Sequence, residues 1–466
     1  MKGHVVTPAP VVDHMVRKLL DGVELHKTDI ILDPGCGEGA FIDGIIRYCD
    51  RDGKTLPNII GVELNPEHLD KARERLVNRS EIRLFEKDFL LMDALKADFV
   101  IGNPPYVPIT GLDEKEKELY IGKFTTARER FDLYILFFEQ ALRILKPGGR
   151  LCFITPEKYE FVHTASELRK ILAKTTVTEI EHINEETFAD LVTYPTITSL
   201  VHSAPPKGHK TAIVLRDGEK RNVRLPTDGT SWSQAIHSNG SLVESSVTLK
   251  DLTIRVSCGV ATGADEIFVQ TDAEIPKGLT GFGYPTISGR QLGLLKDEVV
   301  TTSDSMLIPY FKTGKLMPED QLKDFLVYLR RPDIERHLKG RTCSGNGHRS
   351  WYQFHDNVPF QDLLRPKILC KDITQRPHFW MDKDGRIVPR HTVYYIVPKE
   401  ERWMEPLCEY LNGEEARKWL EANCQRAAGG FLRIQSAVLR NLPVPEFVVK
   451  KRLGNRVRKQ TTLKIA

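Results

Sequence analysis

The stretch Ile30-Ile31-Leu32-Asp33-Pro34-Gly35-Cys36-Gly37-Glu38-Gly39-Ala40-Phe41 decides how the first half of the chain folds. It opens as a short apolar strand that ends in an acid. It then turns through three glycines and leads into a helix marked by Ile42, Ile45 and Ile46. A strand, a glycine-rich turn and a helix let the backbone approach a ligand closely at the helix N-terminus. A glycine triplet alone is equally compatible with a plain tight turn. Its place after a strand and before a helix favours ligand binding.

Downstream the pattern repeats. Asn58-Ile59-Ile60-Gly61-Val62-Glu63 is a second apolar strand ending in an acid. Asn65 then caps a helix through Leu69, Ala72 and Leu76, with Pro66 in its first position. A carboxylate at that strand end can accept both hydrogen bonds of a ribose diol. Ile82 to Phe89 reads as a third strand with Asp88 at its carboxyl end, and Phe99 to Ile101 as a fourth. The fourth runs into Asn103-Pro104-Pro105-Tyr106, where two prolines fix the backbone. An amide oxygen on Asn103, the Pro104 carbonyl and the Tyr106 face suit a planar ring bearing an exocyclic amine. Upstream, Val11, Val12, Met15, Val16, Leu19 and Leu20 recur at helical spacing behind Thr7-Pro8-Ala9-Pro10. Strands separated by helices or loops make an open parallel sheet, whose ligands bind outside the strands' carboxyl ends. Asp33, Glu63, Asp88 and Asn103 are thus expected to border one crevice.

Composition sets the bounds. The chain has 466 residues, long enough that two domains are expected, with 41% hydrophobic and 28% charged residues. No apolar run reaches the ~18 residues of a membrane span, and the N-terminus lacks a signal peptide's apolar core. The eight cysteines include no Cys-x-x-Cys pair, which points to neither a zinc framework nor disulfides; Cys343 and His348 stand near each other without a second pair. A reduced, cytoplasmic protein is expected. The net charge of +4 hides an asymmetry: residues 1–205 carry 26 basic and 33 acidic side chains, the remainder 41 and 30. From Lys450 to Ala466 there are seven basic residues and no acid. A basic second half suits a polyanion partner, although a basic surface also serves solubility.

The first half resembles the gamma class of S-adenosylmethionine-dependent DNA adenine-N6 methyltransferases, the Taq-type arrangement. The resemblance rests on Thr7-Pro8-Ala9, the loop Asp33 to Gly39, Glu63, Asp88-Phe89 and Asn103-Pro104-Pro105-Tyr106, in that order. It continues through Phe131-Asp132-Leu133-Tyr134 and Leu145-Lys146-Pro147-Gly148-Gly149 to a fifth strand, Arg150 to Thr155. The resemblance implies a doubly wound Rossmann-like α/β sheet of seven strands, the last antiparallel, with S-adenosylmethionine as cofactor. By carry-over, Thr7 holds the methionine carboxylate and the loop through Asp33, Gly35 and Gly37 passes beside the methionine. Glu63 takes the ribose hydroxyls, Asp88 the cofactor's adenine amine, and Phe89 and Pro105 lie against that adenine. Asn103 and Pro104 accept hydrogen bonds from the target amine. Tyr106 stacks on a target adenine flipped from the duplex, and Tyr194, in the loop after Glu185, is a second aromatic against it. No metal is implied.

A change of character at Ser203-Ala204-Pro205-Pro206-Lys207-Gly208 places a domain boundary there: a catalytic domain over 1–205 and a mixed DNA target-recognition domain over 206–466. Short segments of the second half resemble gamma-class recognition domains: 260–268, 287–290, 365–369, and Gly429-Gly430-Phe431 leading to Leu442-Pro443-Val444-Pro445. Basic residues interleave with aromatics over Arg349 to His355 and Gln375 to Trp380. They suit phosphate and base contacts, or equally a core flanked by solvated charges. The expected partner is double-stranded DNA, with a separately encoded restriction endonuclease in company and the enzyme acting as a monomer. An RNA adenine methyltransferase, an N4-cytosine enzyme, a release-factor-type glutamine methyltransferase and a binding module with a vestigial methyltransferase fold are the alternatives.

Overall fold

The computed structural model describes residues 6–76, 79–93, 95–184, 194–237, 245, 247–295, 299–341, 350–427, 431–446 and 448. The loop 185–193, Cys343, His348, Arg349, Gly429, Gly430 and the tail from Lys450 lie outside them. The chain divides into two compact units, Met1–Gly240 and Ser241–Ala466. No described helix is long and apolar enough to cross a membrane.

The first unit is built on one sheet. Its strands are β1 (Ile30–Pro34), β2 (Asn58–Glu63), β3 (Ile82–Glu86), β4 (Ala97–Gly102), β5 (Leu145–Pro156), β6 (Thr176–His182), β7 (Pro195–Val201), β8 (Thr211–Val214) and β9 (Lys220–Val223). Their order is β3-β2-β1-β4-β5-β7-β6-β8-β9. β1 to β5 run parallel, and β7 lies antiparallel between β5 and β6. The strand order reverses between β1 and β4, so the loops after those strands flank the switch point where α/β sheets bind ligands.

Helices cover the sheet as their apolar spacing requires. In α1 (Ala9–Leu20) the six residues singled out above are all buried. α2 (Ala40–Asp52) follows the glycine loop, and α3 (Pro66–Arg75) starts at Asn65, whose side chain accepts from the Glu67 N–H at 2.9 Å. Further on come α4 (Glu114–Lys123), α5 (Leu133–Ile144), α6 (Ser166–Leu172) and α7 (Ser233–His237). β5 begins at Leu145, five residues before the strand expected from Arg150.

The sheet has nine strands, not seven. The expected seven occupy one continuous stretch, β3 to β6, and β8 pairs parallel to β6 while β9 returns antiparallel. The added hairpin turns at Gly218, which has a φ of 83°. Ile213, Trp232 and Ile236 bury themselves in the same apolar cluster as Ile180. For that reason the first unit extends to Gly240 and does not end at 205.

The second unit contains a four-stranded antiparallel sheet in the order Thr253–Cys258, Val393–Pro398, Lys367–Lys371, Phe379–Asp382. A second four-stranded sheet runs Val269–Thr271, Asp304–Leu307, Gly283–Ile287, Val388–Pro389, and a three-stranded one joins Ile373–Thr374, Phe431–Arg433 and Gln425–Ala427. Tyr352, Phe354, Phe379 and Trp380 are buried in its core. The described aromatics of the two basic segments are therefore mainly packing residues, with exposed neighbours such as His355 and Arg376 left to face solvent. Buried Lys367 forms an ion pair with Asp382, which also accepts from the Ile387 N–H at 2.9 Å.

Candidate active site

At the carboxyl ends of β1 to β4 the first unit holds a cavity of about 390 Å³. Of the expected cofactor residues, Thr7, Gly35, Gly37, Glu63, Asp88, Phe89 and Pro105 line it, as does Asn103. Asp33, Pro104, Tyr106 and Tyr194 do not.

Gly35, Gly37 and Gly39 all take positive φ, 87°, 53° and 88°, a region L-residues seldom enter. The Gly35 and Cys36 N–H groups donate to the Val62 carbonyl at 2.7 and 2.9 Å, tying the loop to the end of β2. A Cβ on Gly35 would stand 3.7 Å from Phe137 and 4.0 Å from Pro105, two residues of the cavity wall. Glu63 is held from three sides: Oε2 accepts from the Gly37 N–H (2.9 Å), and Oε1 from those of Leu64 (2.9 Å) and Asn65 (2.8 Å).

Asp33 lies fully buried beneath the loop, and neither carboxyl oxygen has a hydrogen-bond partner among the described residues. Burial, with the nearby Glu63 carboxylate adding to it, pushes its carboxyl well above the usual range. Asp88 sits beyond β3, capping the turn Phe89–Leu91: Oδ1 accepts from the Leu90 N–H at 2.8 Å and Oδ2 from the Tyr120 hydroxyl at 2.8 Å.

Asn103 follows β4. Its Nδ2 donates to Thr7 Oγ1 at 3.0 Å, so two residues 96 positions apart in the sequence meet at one point of the wall. The Tyr106 hydroxyl donates to the Ile154 carbonyl of β5 at 3.5 Å, with the Tyr134 ring edge-on at 6.3 Å. Tyr194 precedes β7 and is buried, the Arg216 guanidinium lying 4.8 Å from its ring centroid. Ile154 pairs with Ile197 and Pro156 with Pro195, so Tyr106 and Tyr194 both reach the carboxyl end of β5, where β7 begins.

The cavity also uses residues that strand-end reasoning passes over. α4 contributes Glu116 and Tyr120, and α5 contributes Leu133 and Phe137, whose ring lies 5.0 Å from that of Phe89. The sequence signals in α4 are the capping pair Asp113 and Glu116 and one aromatic, Tyr120, its one buried residue.

Phe89, Pro105, Leu133 and Phe137 give one part of the cavity an apolar lining, the apolar slot. Glu63, Asp88 and Glu116 line the same cavity. Carboxylates around an apolar slot suit a ligand that is cationic at one end and aromatic at the other. S-adenosylmethionine is such a ligand, and the volume lies within the range of small-molecule sites. Fold and site together define an S-adenosylmethionine-dependent methyltransferase.

Comparison with known proteins narrows the class. The Eco57I restriction-modification methylase family matches residues 51–188, and the TaqI-like C-terminal specificity domain matches residues 333–444. The chain is 26% identical to the Type II methyltransferase M.PaeR7I of Pseudomonas aeruginosa, over 78% of this chain and 67% of that one. It is 25% identical to the Type II methyltransferase M.XhoI of Xanthomonas vasicola, over 90% and 86%. The solved Type IIL restriction-modification enzyme MmeI, in complex with DNA, shares the fold with a TM-score of 0.61 at 14% identity, covering 93% of this chain and 63% of that one. The chain belongs to the DNA methyltransferases of restriction-modification systems, with a TaqI-like specificity domain at its C-terminal end. Its cofactor is S-adenosylmethionine.

Proposed function

We propose that the chain methylates N6 of an adenine flipped out of duplex DNA, at a sequence chosen by its second unit. The orientation of Asn103 carries this reading. Donation from Nδ2 to Thr7 turns the amide so that Oδ1, an acceptor, is the atom directed away from Thr7. An adenine amine is a weak nucleophile because its lone pair is delocalised into the ring. Two acceptors, Asn103 Oδ1 and the Pro104 carbonyl, hold its two N–H groups and favour a pyramidal nitrogen. Pro104 and Pro105 keep those acceptors in place, and positioning with electrostatics carries the reaction.

S-adenosylmethionine supplies an electrophilic methyl group on a sulfonium. Thr7, Gly35 and Gly37 hold its methionine end, with Asp33 beneath the loop supporting it, and Glu63 holds the ribose hydroxyls. Asp88, Phe89 and Pro105 hold its adenine. Tyr106 and Tyr194 flank the flipped base, a role supported by their shared place at the carboxyl end of β5. The second unit, with the basic residues of the C-terminal half, reads the target, and the enzyme acts in the cytoplasm as a monomer. As a modification enzyme it protects sites from a separately encoded endonuclease.

The test supplies radiolabelled S-adenosylmethionine with duplex DNA, RNA or a bacterial release factor. Label on duplex DNA alone is expected. Label confined to RNA or to the release factor would overturn the substrate assignment.

A further inference from the structure

Away from the cavity, three side chains with metal-ligand chemistry meet. Glu160 ends the short turn Glu157–Glu160 after β5, His182 is the last residue of β6, and His237 the last of α7. One ligand atom from each lies within 4.8 Å of the other two. Glu160 and His182 are 1% and 3% exposed. Glu160 Oε2 is 3.0 Å from His182 Nε2, and the two histidine ring centroids stand 5.4 Å apart.

Hydrogen bonding within the group does not satisfy it. Glu160 Oε1 and His182 Nδ1 are buried with no hydrogen-bond partner among the described residues. The same holds for the hydroxyls of Thr196 and Thr155, which share a cross-strand row with His182: His182 pairs with Thr196, and Thr196 with Thr155. Directly paired residues put their side chains on one face of a sheet. Four unsatisfied buried polar atoms among three adjacent strand ends and one turn are unusual, because such atoms ordinarily find partners. The charge balance also permits a cation. Arg216 is already paired with Glu157, which leaves the Glu160 carboxylate as the group's own negative charge.

We propose that Glu160, His182 and His237 bind one zinc-class divalent ion at the carboxyl edge of β5 and β6. Two imidazoles and a carboxylate match zinc and its first-row neighbours, whereas calcium and magnesium take oxygen ligands. Three protein ligands leave a fourth position for water. Coordination at about 2.0–2.1 Å draws the ligand atoms together, and His237 stands at the end of its helix, half-buried. The ion joins the end of β5 and β6 to α7. The Glu160 carbonyl already ties these elements by accepting from the Trp232 N–H at 2.7 Å. This site is independent of the adenine assignment.

Full-length protein is treated with a chelator, dialysed and titrated with zinc against a chromophoric competitor, and separately with cobalt(II). Uptake of a single ion per chain is expected, with the visible d–d absorption of a four-coordinate cobalt site. His237→Ala and Glu160→Gln, each checked for folding by circular dichroism, lower the affinity at least about tenfold. If Glu160→Gln fails to fold, the His237→Ala comparison decides alone. A wild-type chain that takes up no stoichiometric ion, or a folded His237→Ala chain with unchanged uptake, overturns the proposal.

Discussion

The Tyr120 hydroxyl, on α4, donates to Asp88 Oδ2 at 2.8 Å, while the Asp88 backbone begins the turn that shapes the cavity wall. Tyr120 is 4% exposed, so this bond is partly shielded from water, and with the Leu90 N–H on Oδ1 it fixes the carboxylate from both oxygens. Asp88 is therefore presented to the cavity already oriented. A hydrogen bond to a charged group contributes about 1.5–3 kcal/mol. Tyr120→Phe is expected to weaken cofactor binding about tenfold while leaving the far-ultraviolet circular dichroism unchanged. Titration calorimetry with S-adenosylhomocysteine reads the effect, and an unaltered affinity would detach Tyr120 from the site.

Asp33 makes stability depend on pH in a defined direction. Its folded-state carboxyl titrates well above the usual value because burial disfavours the charged form. The folded chain thus binds this proton more tightly than the unfolded one. The resulting stability is complete below the unfolded pKa and is lost as pH rises through the raised folded value. Without cofactor, Asp33→Asn should flatten that loss on the alkaline side, and it should also weaken cofactor binding. Melting temperatures of both chains across a pH series check the first expectation, and cofactor titration the second.

Gly61, paired with Asp33 across β1 and β2, shows how closely the loop is packed. A Cβ there would lie 2.6 Å from Leu84 Cδ2, 2.9 Å from Cys36 Sγ and 3.0 Å from Ile42 Cδ1. Relief in one direction presses on β3, in another on the glycine loop, in the third on α2. Gly61→Ala is expected to cost about 1–3 kcal/mol, as overpacking of a filled core does, and to loosen the cofactor. Denaturant unfolding measures the first term.

In the second unit, Lys367 is 0% exposed and its partner Asp382 is 5% exposed. Burial lowers the Lys367 pKa, and Asp382 works against that shift. Asp382→Asn leaves the lysine without a counter-charge, and removal of one partner from a buried pair costs about 3–5 kcal/mol. Lys367→Met, which removes the charge itself, should cost less. Equal losses in the two variants, measured by denaturant unfolding, would contradict this.

How far the sequence could be read follows from the range of each signal. β1, β2 and β4 were legible because an apolar run met an acid or amide at its end, and Asn65-Pro66 announced α3 by local capping chemistry alone. The hairpin β8–β9 carried its own local signal, Asp217-Gly218 between Ile213-Val214 and Lys220, but weak alternation let the proline-rich segment before it pass for a domain boundary. α4 carries the capping signal of Asp113 and Glu116, but its part in the cavity was illegible because only Glu116 and Tyr120 reach it and no apolar stripe marks that face. The aromatics from Trp351 to Phe354 and at Phe379-Trp380 look alike in sequence whether they face DNA or a core; only burial separates the two. Asn103 with Thr7, and Glu160 with His182 and His237, are pairings made by strand order, which no local pattern encodes.

The most direct test of the account is to identify the methylated nucleoside. Duplex DNA treated with the wild-type chain and S-adenosylmethionine is digested to nucleosides and resolved by mass spectrometry, beside DNA treated with Asn103→Ala. N6-methyldeoxyadenosine from the wild type, its loss in Asn103→Ala, and near-wild-type cofactor binding by that variant are the results the account predicts. Methylation on cytosine, or an Asn103→Ala chain as active as the wild type, would contradict it.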